Sequence, residues 1–315
     1  MAKFLITGAN GQIGSDLVAR LRDMHGADNV VGSDLRLPAS PQAGPHEIAD
    51  VTNLDQLREL ITNYNIDTIY HLASILSVTG EKHPDLAWQV NMNGLKHILD
   101  LAAAHNCKVF WPSSIAVFGP TTPRNHTPQR TVLEPQTIYG ITKSAGELLC
   151  NYYHQHFDVD VRSLRYPGLI SYSAPPGGGT TDFSIDMLRA AAAGKAYACF
   201  VGPKTRLPMM YMPDAVNAAL VLMHAAPEDI RTRTSYNVTA VSFSAEELAA
   251  EIKKVIPGFE CTYAPDFRQE IADSWPSTLN DSEARTDWNW QPEFTLDAMV
   301  ADMLMHLQQP SKVVS

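Results

Sequence analysis

Residues 3–22 constrain the fold more than any other stretch. Lys3-Phe-Leu-Ile-Thr7 is a short apolar run, Gly8-Ala-Asn-Gly11-Gln-Ile-Gly14 follows it directly, and Ile13, Leu17, Val18 and Leu21 then recur at helical spacing. A strand that passes through a glycine turn into a helix opens a unit whose next strand lies parallel to the first. Gly8 permits the tight turn, Gly11 lets the backbone approach a pyrophosphate, and Gly14 allows close helix–strand packing. The helix N-terminus adds free N–H groups and a positive dipole end. The spacing is G-x-x-G-x-x-G, and a glycine loop alone is weak evidence, so the rest of the chain has to agree.

It keeps alternating. Asn29–Gly32 reads as a second strand ending at Ser33-Asp34, an acid 20 residues beyond Gly14 and placed to hold an adenosine ribose 2′-hydroxyl. That carboxylate would repel a 2′-phosphate, which favours NAD over NADP, although Arg36 beside it weakens the preference slightly. His46–Asp50 is a third strand whose end, Asp50-Val51, is a candidate adenine contact. Asn53–Asn63 is a helix with Leu54, Leu57, Leu60 and Ile61 inward. Thr68-Ile-Tyr-His-Leu-Ala-Ser74 is a fourth strand entering a small-residue loop, with His71 read as a packed strand-end residue rather than a catalyst. Asp85–His105 is expected to be one long helix, followed by a fifth strand over Lys108–Pro112 and a sixth over Val161–Leu164.

Composition narrows the function classes. The chain has 315 residues, enough for one large domain or a domain with a smaller lobe, and a formal net charge of -10. That charge argues against a nucleic-acid or anionic-membrane partner but not against a small anionic ligand met by local donors. Cys107, Cys150, Cys199 and Cys261 are scattered without metal-ligand spacing, so buried free thiols in a reducing compartment and no metal are expected. The N-terminus lacks the layout of a signal peptide and no run approaches 18 apolar residues, so the expected compartment is cytosolic.

The chemistry concentrates in Ile138-Tyr-Gly-Ile-Thr-Lys-Ser-Ala-Gly-Glu147. Tyr139 and Lys143 stand four apart, one turn along a helix and on one face. A free tyrosine is a poor base at neutral pH, and a neighbouring ammonium favours its phenolate. A tyrosine tuned in this way takes a proton from an alcohol or returns it to a carbonyl. Ser113-Ser114 ends the fifth strand, where open α/β sheets bind ligands, and Ser114 precedes Tyr139 by 25 residues. Turn formation alone would also explain either serine, but glycine loop, acid, serine and Tyr-x-x-x-Lys in this order exceed chance.

Together these motifs resemble the extended short-chain dehydrogenase/reductase family over essentially the whole chain. The resemblance implies a Rossmann doubly wound α/β parallel sheet with a smaller C-terminal α/β substrate lobe. Residues 1–170 would form the NAD-binding domain, with part of 205–240 returning to it, and 171–315 mainly the lobe. It implies that Ser114, Tyr139 and Lys143 act as a catalytic trio, with Lys143 also on the nicotinamide ribose. Tyr166-Pro-Gly-Leu-Ile170 would pack against the nicotinamide, with further cofactor contacts from Asn10, Gln12, Ile13, Leu35, Leu72, Ala73 and Asn91. Pro175-Pro-Gly-Gly-Gly-Thr-Thr-Asp-Phe183, Thr205-Arg-Leu-Pro-Met-Met-Tyr211 and Ala272-Asp-Ser-Trp-Pro276 are similar to signatures of the family's L-threonine 3-dehydrogenase branch. The implied activity is NAD-dependent oxidation of L-threonine at C3 to 2-amino-3-oxobutyrate. The rivals are a nucleotide-sugar epimerase or dehydratase with tightly bound NAD, and a non-catalytic NAD sensor, which the presence of both Tyr139 and Lys143 disfavours.

On the substrate side the candidates are Ser74, Ser114, Tyr139, Gly179, Thr180 and Thr181, whose small donors suit an ammonium and a carboxylate. Trp275 either covers the substrate methyl or fills the lobe core, and Arg206 pairs either with a substrate carboxylate or with Asp214, the structural pairing being preferred. Trp288, Trp290 and Phe294 are expected to pack the lobe. Further helices are expected over Asp214–His224 and Leu296–Leu307, and over Ser244–Val255 with Ser244 and Glu247 as a capping box. A strand is expected over Ser235–Val238 and a frayed tail over Gln308–Ser315. By analogy with relatives, the helices over 85–105 and 139–156 would form a homodimer interface.

Overall fold

The apolar runs read from the sequence become the strands of one sheet. The computed structural model describes residues 2–173, 177 and 179–308; Pro175, Pro176, Gly178 and the tail from 309 lie outside that range. In chain order the first half comprises β1 (Phe4–Thr7), α1 (Gln12–His25), β2 (Val30–Asp34), β3 (His46–Ile48), α2 (Leu54–Tyr64) and β4 (Thr68–His71). Then come α3 (Ser77–Lys82), α4 (Pro84–Trp88), a π-helical stretch Gln89–Asn93, α5 (Gly94–His105), β5 (Lys108–Ser114), α6 (Ile138–Phe157) and β6 (Val161–Tyr166). The second half adds β7 (Gly168–Ile170), α7 (Phe183–Ala192), β8 (Tyr197–Cys199), β9 (Arg206–Tyr211), α8 (Met212–His224), β10 (Tyr236–Asn237) and β11 (Val241–Ser244). It ends with α9 (Ala245–Val255), β12 (Cys261–Tyr263), α10 (Arg268–Ser274), α11 (Ser282–Trp288) and α12 (Leu296–Gln308).

Seven strands form a parallel sheet in the order β10-β6-β5-β4-β1-β2-β3. Successive side chains leave opposite faces of a strand. Leu5, Val31, Ile69 and Val109 therefore enter a core shared with α2, α5 and α6, while Ile6, Val30, Tyr70 and Phe110 enter one shared with α1 and α8. Burial on both faces explains the nearly unbroken hydrophobicity of the strands. A three-stranded sheet, β11-β9-β7, and a pair, β12-β8, carry the smaller lobe. Its core gathers Phe183, Met187, Leu207, Phe243, Leu248 and Met303, and takes in Ile115–Phe118 from the turn after β5.

Local signals set several ends. Asn53 caps α2 by accepting from the N–H groups of Asp55 and Gln56, and Asn65 closes it in the left-handed region at φ 51°. Ser244 and Glu247 form the capping box of α9.

Three expectations are corrected. The helix expected over Asp85–His105 is interrupted: the π stretch Gln89–Asn93 turns Asn91 inward and leaves Trp88 46% exposed on the solvent side. Trp288 and Trp290 do not pack the lobe. α11 leads back to β10, and both indoles join the α1 and α8 core, with Trp290 donating to the Thr239 carbonyl at 3.3 Å. Arg206 is a structural residue, but its carboxylate partner is Glu247 rather than Asp214, whose carboxylate instead accepts from the backbone of Glu293 and Phe294. Helices α3 and α7 carry no capping or periodic signal strong enough to be read from the sequence.

Candidate functional site

β6, β5, β4 and β1 are neighbours, so the loops leaving their carboxyl ends meet side by side. A cavity of about 500 Å³ lies among them, bounded by the glycine loop after β1, Leu72–Ser77 after β4, Ser113–Ile115 after β5 and Tyr166–Leu169 after β6. Gly177, Gly179–Asp182 and Trp275 close it from the lobe.

At the glycine end, Gly8 sits at φ 71°, and a Cβ there would lie 2.7 Å from the Ala73 nitrogen. The N-cap of α1 is Gly11, without a side-chain cap and without an acid in the first turn, so the positive end of the helix opens on the cavity. A helix end of this kind suits an anion such as a pyrophosphate. The Asp34 carboxylate, at the tip of β2, accepts from the N–H groups of Asn10 at 3.0 Å and Leu35 at 2.8 Å. The Asn10 amide donates to the Arg36 carbonyl at 2.6 Å, and the Leu35 and Arg36 side chains are exposed beside it. A helix N-terminus without a side-chain cap, with an acid one strand away, fits the pyrophosphate and adenosine ribose of a dinucleotide.

At the other end stand Ser114, Tyr139 and Lys143. Thr137 caps α6 by accepting from the Gly140 N–H at 3.0 Å. Gly140 lets that first turn lie on the turn after β5, since a Cβ there would stand 2.2 Å from the Ala116 carbonyl oxygen. The Ser114 hydroxyl hydrogen-bonds the Tyr139 phenol, which favours the phenolate, but burial dominates and pushes the tyrosine up to about 12. Lys143 is 3% exposed, donates to the Pro112 carbonyl at 2.7 Å, and lies 4.6 Å from the Trp111 ring centroid and 5.6 Å from that of Tyr139. Burial lowers it to about 7, against the opposing pull of Cys150 and Glu147. The lowering expected from the neighbouring lysine cation does not prevail at the tyrosine. Desolvation disfavours both charged forms and is the larger effect here.

The structure sorts the remaining candidates. Gln12, Ile13, Leu72, Ser74, Tyr166, Gly179, Thr180, Thr181 and Trp275 line the cavity. Trp275 also belongs to the lobe core at 7% exposure, so its two readings coexist. The buried Thr180 hydroxyl has no hydrogen-bond partner among the described residues, which marks it as a group awaiting one. Asn91 is corrected to a supporting role. Its oxygen accepts from the Ser74 hydroxyl and the Ile75 N–H, and its nitrogen donates to the Ile75 carbonyl and the Thr142 hydroxyl, which uses its full capacity. Ile170 is fully buried in the lobe core, and Leu169 takes the cavity wall instead. Val51 packs into the α2 and α5 core, Ala73 packs behind the glycine loop, and the Asp50 carboxylate is engaged by Thr52. His71, bonded to the Thr7 hydroxyl at 2.7 Å, is pushed down to about 3 by burial and then by Lys143, and is a packed neutral imidazole.

Sequence reasoning missed Glu147 and Arg165, a buried pair behind Lys143. The spacing Tyr139, Lys143, Glu147 carried the signal for the first; nothing local marked the second.

Comparison with known proteins gives the family. Residues 4–239 match the model of the NAD dependent epimerase/dehydratase family. An uncharacterized epimerase/dehydratase of Staphylococcus haemolyticus (strain JCSC1435) is 44% identical over 313 residues, covering 98% of each chain. Among solved structures, the holo form of a GalE-like L-threonine dehydrogenase from Cupriavidus necator is 49% identical, with TM-score 0.95 over 97% of this chain and 99% of its own. A monomeric L-threonine 3-dehydrogenase from a metagenome, in apo form, is 46% identical with TM-score 0.94, over 97% and 98%. With the glycine loop, the acid and the Ser114, Tyr139 and Lys143 cluster in one cavity, the chain belongs to the NAD-dependent epimerase/dehydratase family and is an enzyme that uses NAD.

Proposed function

We propose that this enzyme oxidises L-threonine at C3 to 2-amino-3-oxobutyrate. The observation that carries the reading is the cluster of Ser114, Tyr139 and Lys143 opposite a lobe wall of small polar groups, in a chain similar over nearly its whole length to L-threonine dehydrogenases. The N-terminus of α1 would hold the pyrophosphate, Asp34 the adenosine ribose and Lys143 the nicotinamide ribose. When bound, NAD supplies the hydride acceptor. Tyr139 Oη takes the proton of the C3 hydroxyl, and Ser114 Oγ holds the same oxygen by a hydrogen bond. The partnerless Thr180 hydroxyl, with Ser74 and Thr181, meets the carboxylate and ammonium, and Trp275 excludes water above the methyl group.

Exposed Ile141, Leu148 and Tyr152 share one face of α6, next to exposed Leu86 and Trp88 of α4, and this supports a homodimer. The four free cysteines support a reducing, cytosolic compartment.

The test is NADH absorbance with L-threonine and NAD, run beside NADP, D-threonine and UDP-hexoses. Signal with L-threonine and NAD alone is expected. A second reading, a nucleotide-sugar epimerase or dehydratase, draws on a further cleft of about 610 Å³ bordered by Arg124, Lys204 and Arg206. Silence with threonine and conversion of a UDP-hexose would move the assignment there.

A further inference from the structure

Behind the cavity wall lies a buried polar cluster that the proposed reaction leaves unused. Glu147 is 1% exposed and stands one turn beyond Lys143 on α6. Its Oε1 accepts from the Ser113 hydroxyl at 2.6 Å and from Arg165 Nε at 2.8 Å, and its Oε2 accepts from Arg165 Nη2 at 2.7 Å. Arg165 is 4% exposed on β6, and its Nη1 donates to the Gln129 carbonyl at 2.9 Å and to Asn237 Oδ1 at 3.0 Å. Gln129 and Asn237 bond each other in turn, which ties the cluster to β10.

A buried ion pair is a poor source of stability, because desolvation offsets its attraction. What a bidentate pair provides is direction: a planar fork meets a carboxylate in one geometry. Here the fork lies on β6, the carboxylate on α6, and its third donor on β5, one residue before Ser114. Ser113 points away from the next side chain along the strand, so its bond to Glu147 sets where Ser114 stands. We propose that Glu147 is a positioning residue for the reaction proposed above: held by Ser113 and Arg165, it fixes the end of β5 against α6 so that Ser114, Tyr139 and Lys143 meet.

The titratable and charged groups facing Lys143 and Glu147 are Tyr139 and Cys150 on α6, His71 on β4 and Arg165 on β6. Among them the Glu147 charge helps Lys143 keep its proton, against burial.

Two measurements test the proposal. The first is a ¹³C NMR titration of Lys143 Cε in the full chain, assigned with Lys143→Met and needing no substrate. In Glu147→Gln the midpoint is expected to fall by about one pH unit, and an unmoved midpoint overturns the proposal. The second is steady-state kinetics of Ser113→Ala, which keeps the ion pair and Ser114. Its kcat is expected to fall about 10-fold, with the KM for NAD held within about 2-fold, and to recover in Ser113→Thr. An unchanged kcat, or no recovery with threonine at 113, overturns it as well. If Glu147→Gln does not fold, the Ser113 variants decide. If the unaltered enzyme ignores L-threonine, the activity assignment fails and the titration still decides this one.

Discussion

Tyr139 must lose its proton in a place where burial makes that loss harder. Since burial holds the phenol at about 12, the phenolate is the minor form at neutral pH and grows tenfold per unit as pH rises. The kcat/KM for threonine oxidation is therefore expected to climb between pH 7 and pH 9; a flat profile would remove Tyr139 as the base. Tyr139→Phe is expected to lose about 10²- to 10⁴-fold in turnover while NAD affinity, read by fluorescence titration, stays near its original value. Lys143 gives a stability prediction of opposite sense. Its folded value of about 7 lies below its ordinary 10.5, so folding pays to keep the ammonium, fully below pH 7 and progressively less up to 10.5. Lys143→Met should accordingly stabilise the protein more at pH 6 than at pH 9, by about 2–3 kcal/mol, seen in thermal or urea unfolding at the two values.

Among the elements, α6 does most to build the site. Its cap, Thr137, its glycines and its polar face are all close in sequence, but where it rests is decided by contacts with the turn after β5. A methyl group at Gly140 would press on the Ala116 carbonyl at 2.2 Å and on Pro135 Cβ at 2.7 Å, neither of them the flexible end of a long side chain. Gly140→Ala is expected to cost about 1–3 kcal/mol of stability and about 100-fold or more in kcat, because the helix carries Tyr139 with it as it shifts. Thr137→Ala, by contrast, should cost about 1 kcal/mol of stability, from the lost cap, and leave most of the turnover. Thermal melts and turnover of the two variants separate support from placement. The π stretch before α5 acts in the same way, since it turns Asn91 inward to hold the loop that carries Ser74.

For the whole molecule, the proposed homodimer rests on the exposed faces of α4 and α6. Leu148, 65% exposed, sits between Ile141 and Tyr152 on the outward face of α6, an arrangement that costs nothing only if something covers it. Leu148→Asp is expected to convert a dimer to monomers in light scattering without disturbing the cavity, which lies on the other face of the helix. A monomer before the substitution would instead place the chain with its monomeric relative.

The sequence determined whatever depends on neighbours along the chain. Strand–glycine–helix order, the acid after β2, and the four-residue step from Tyr139 to Lys143 are local patterns, and backbone geometry turns them into the parallel sheet, a helix N-terminus that opens on the cavity and a shared helix face. Even the Ser244 and Glu247 capping box was legible, because both partners lie within one turn. Only the tertiary structure decided the rest. Arg165 reaches Glu147 across two elements, Trp288 and Trp290 return to the large sheet rather than the lobe, and Asn91 spends its hydrogen bonds on support. The protonation of Tyr139 and Lys143 belongs to the same group. Spacing sets how far apart two charges stand, whereas burial, which comes from packing by residues remote in sequence, sets how much each charge costs.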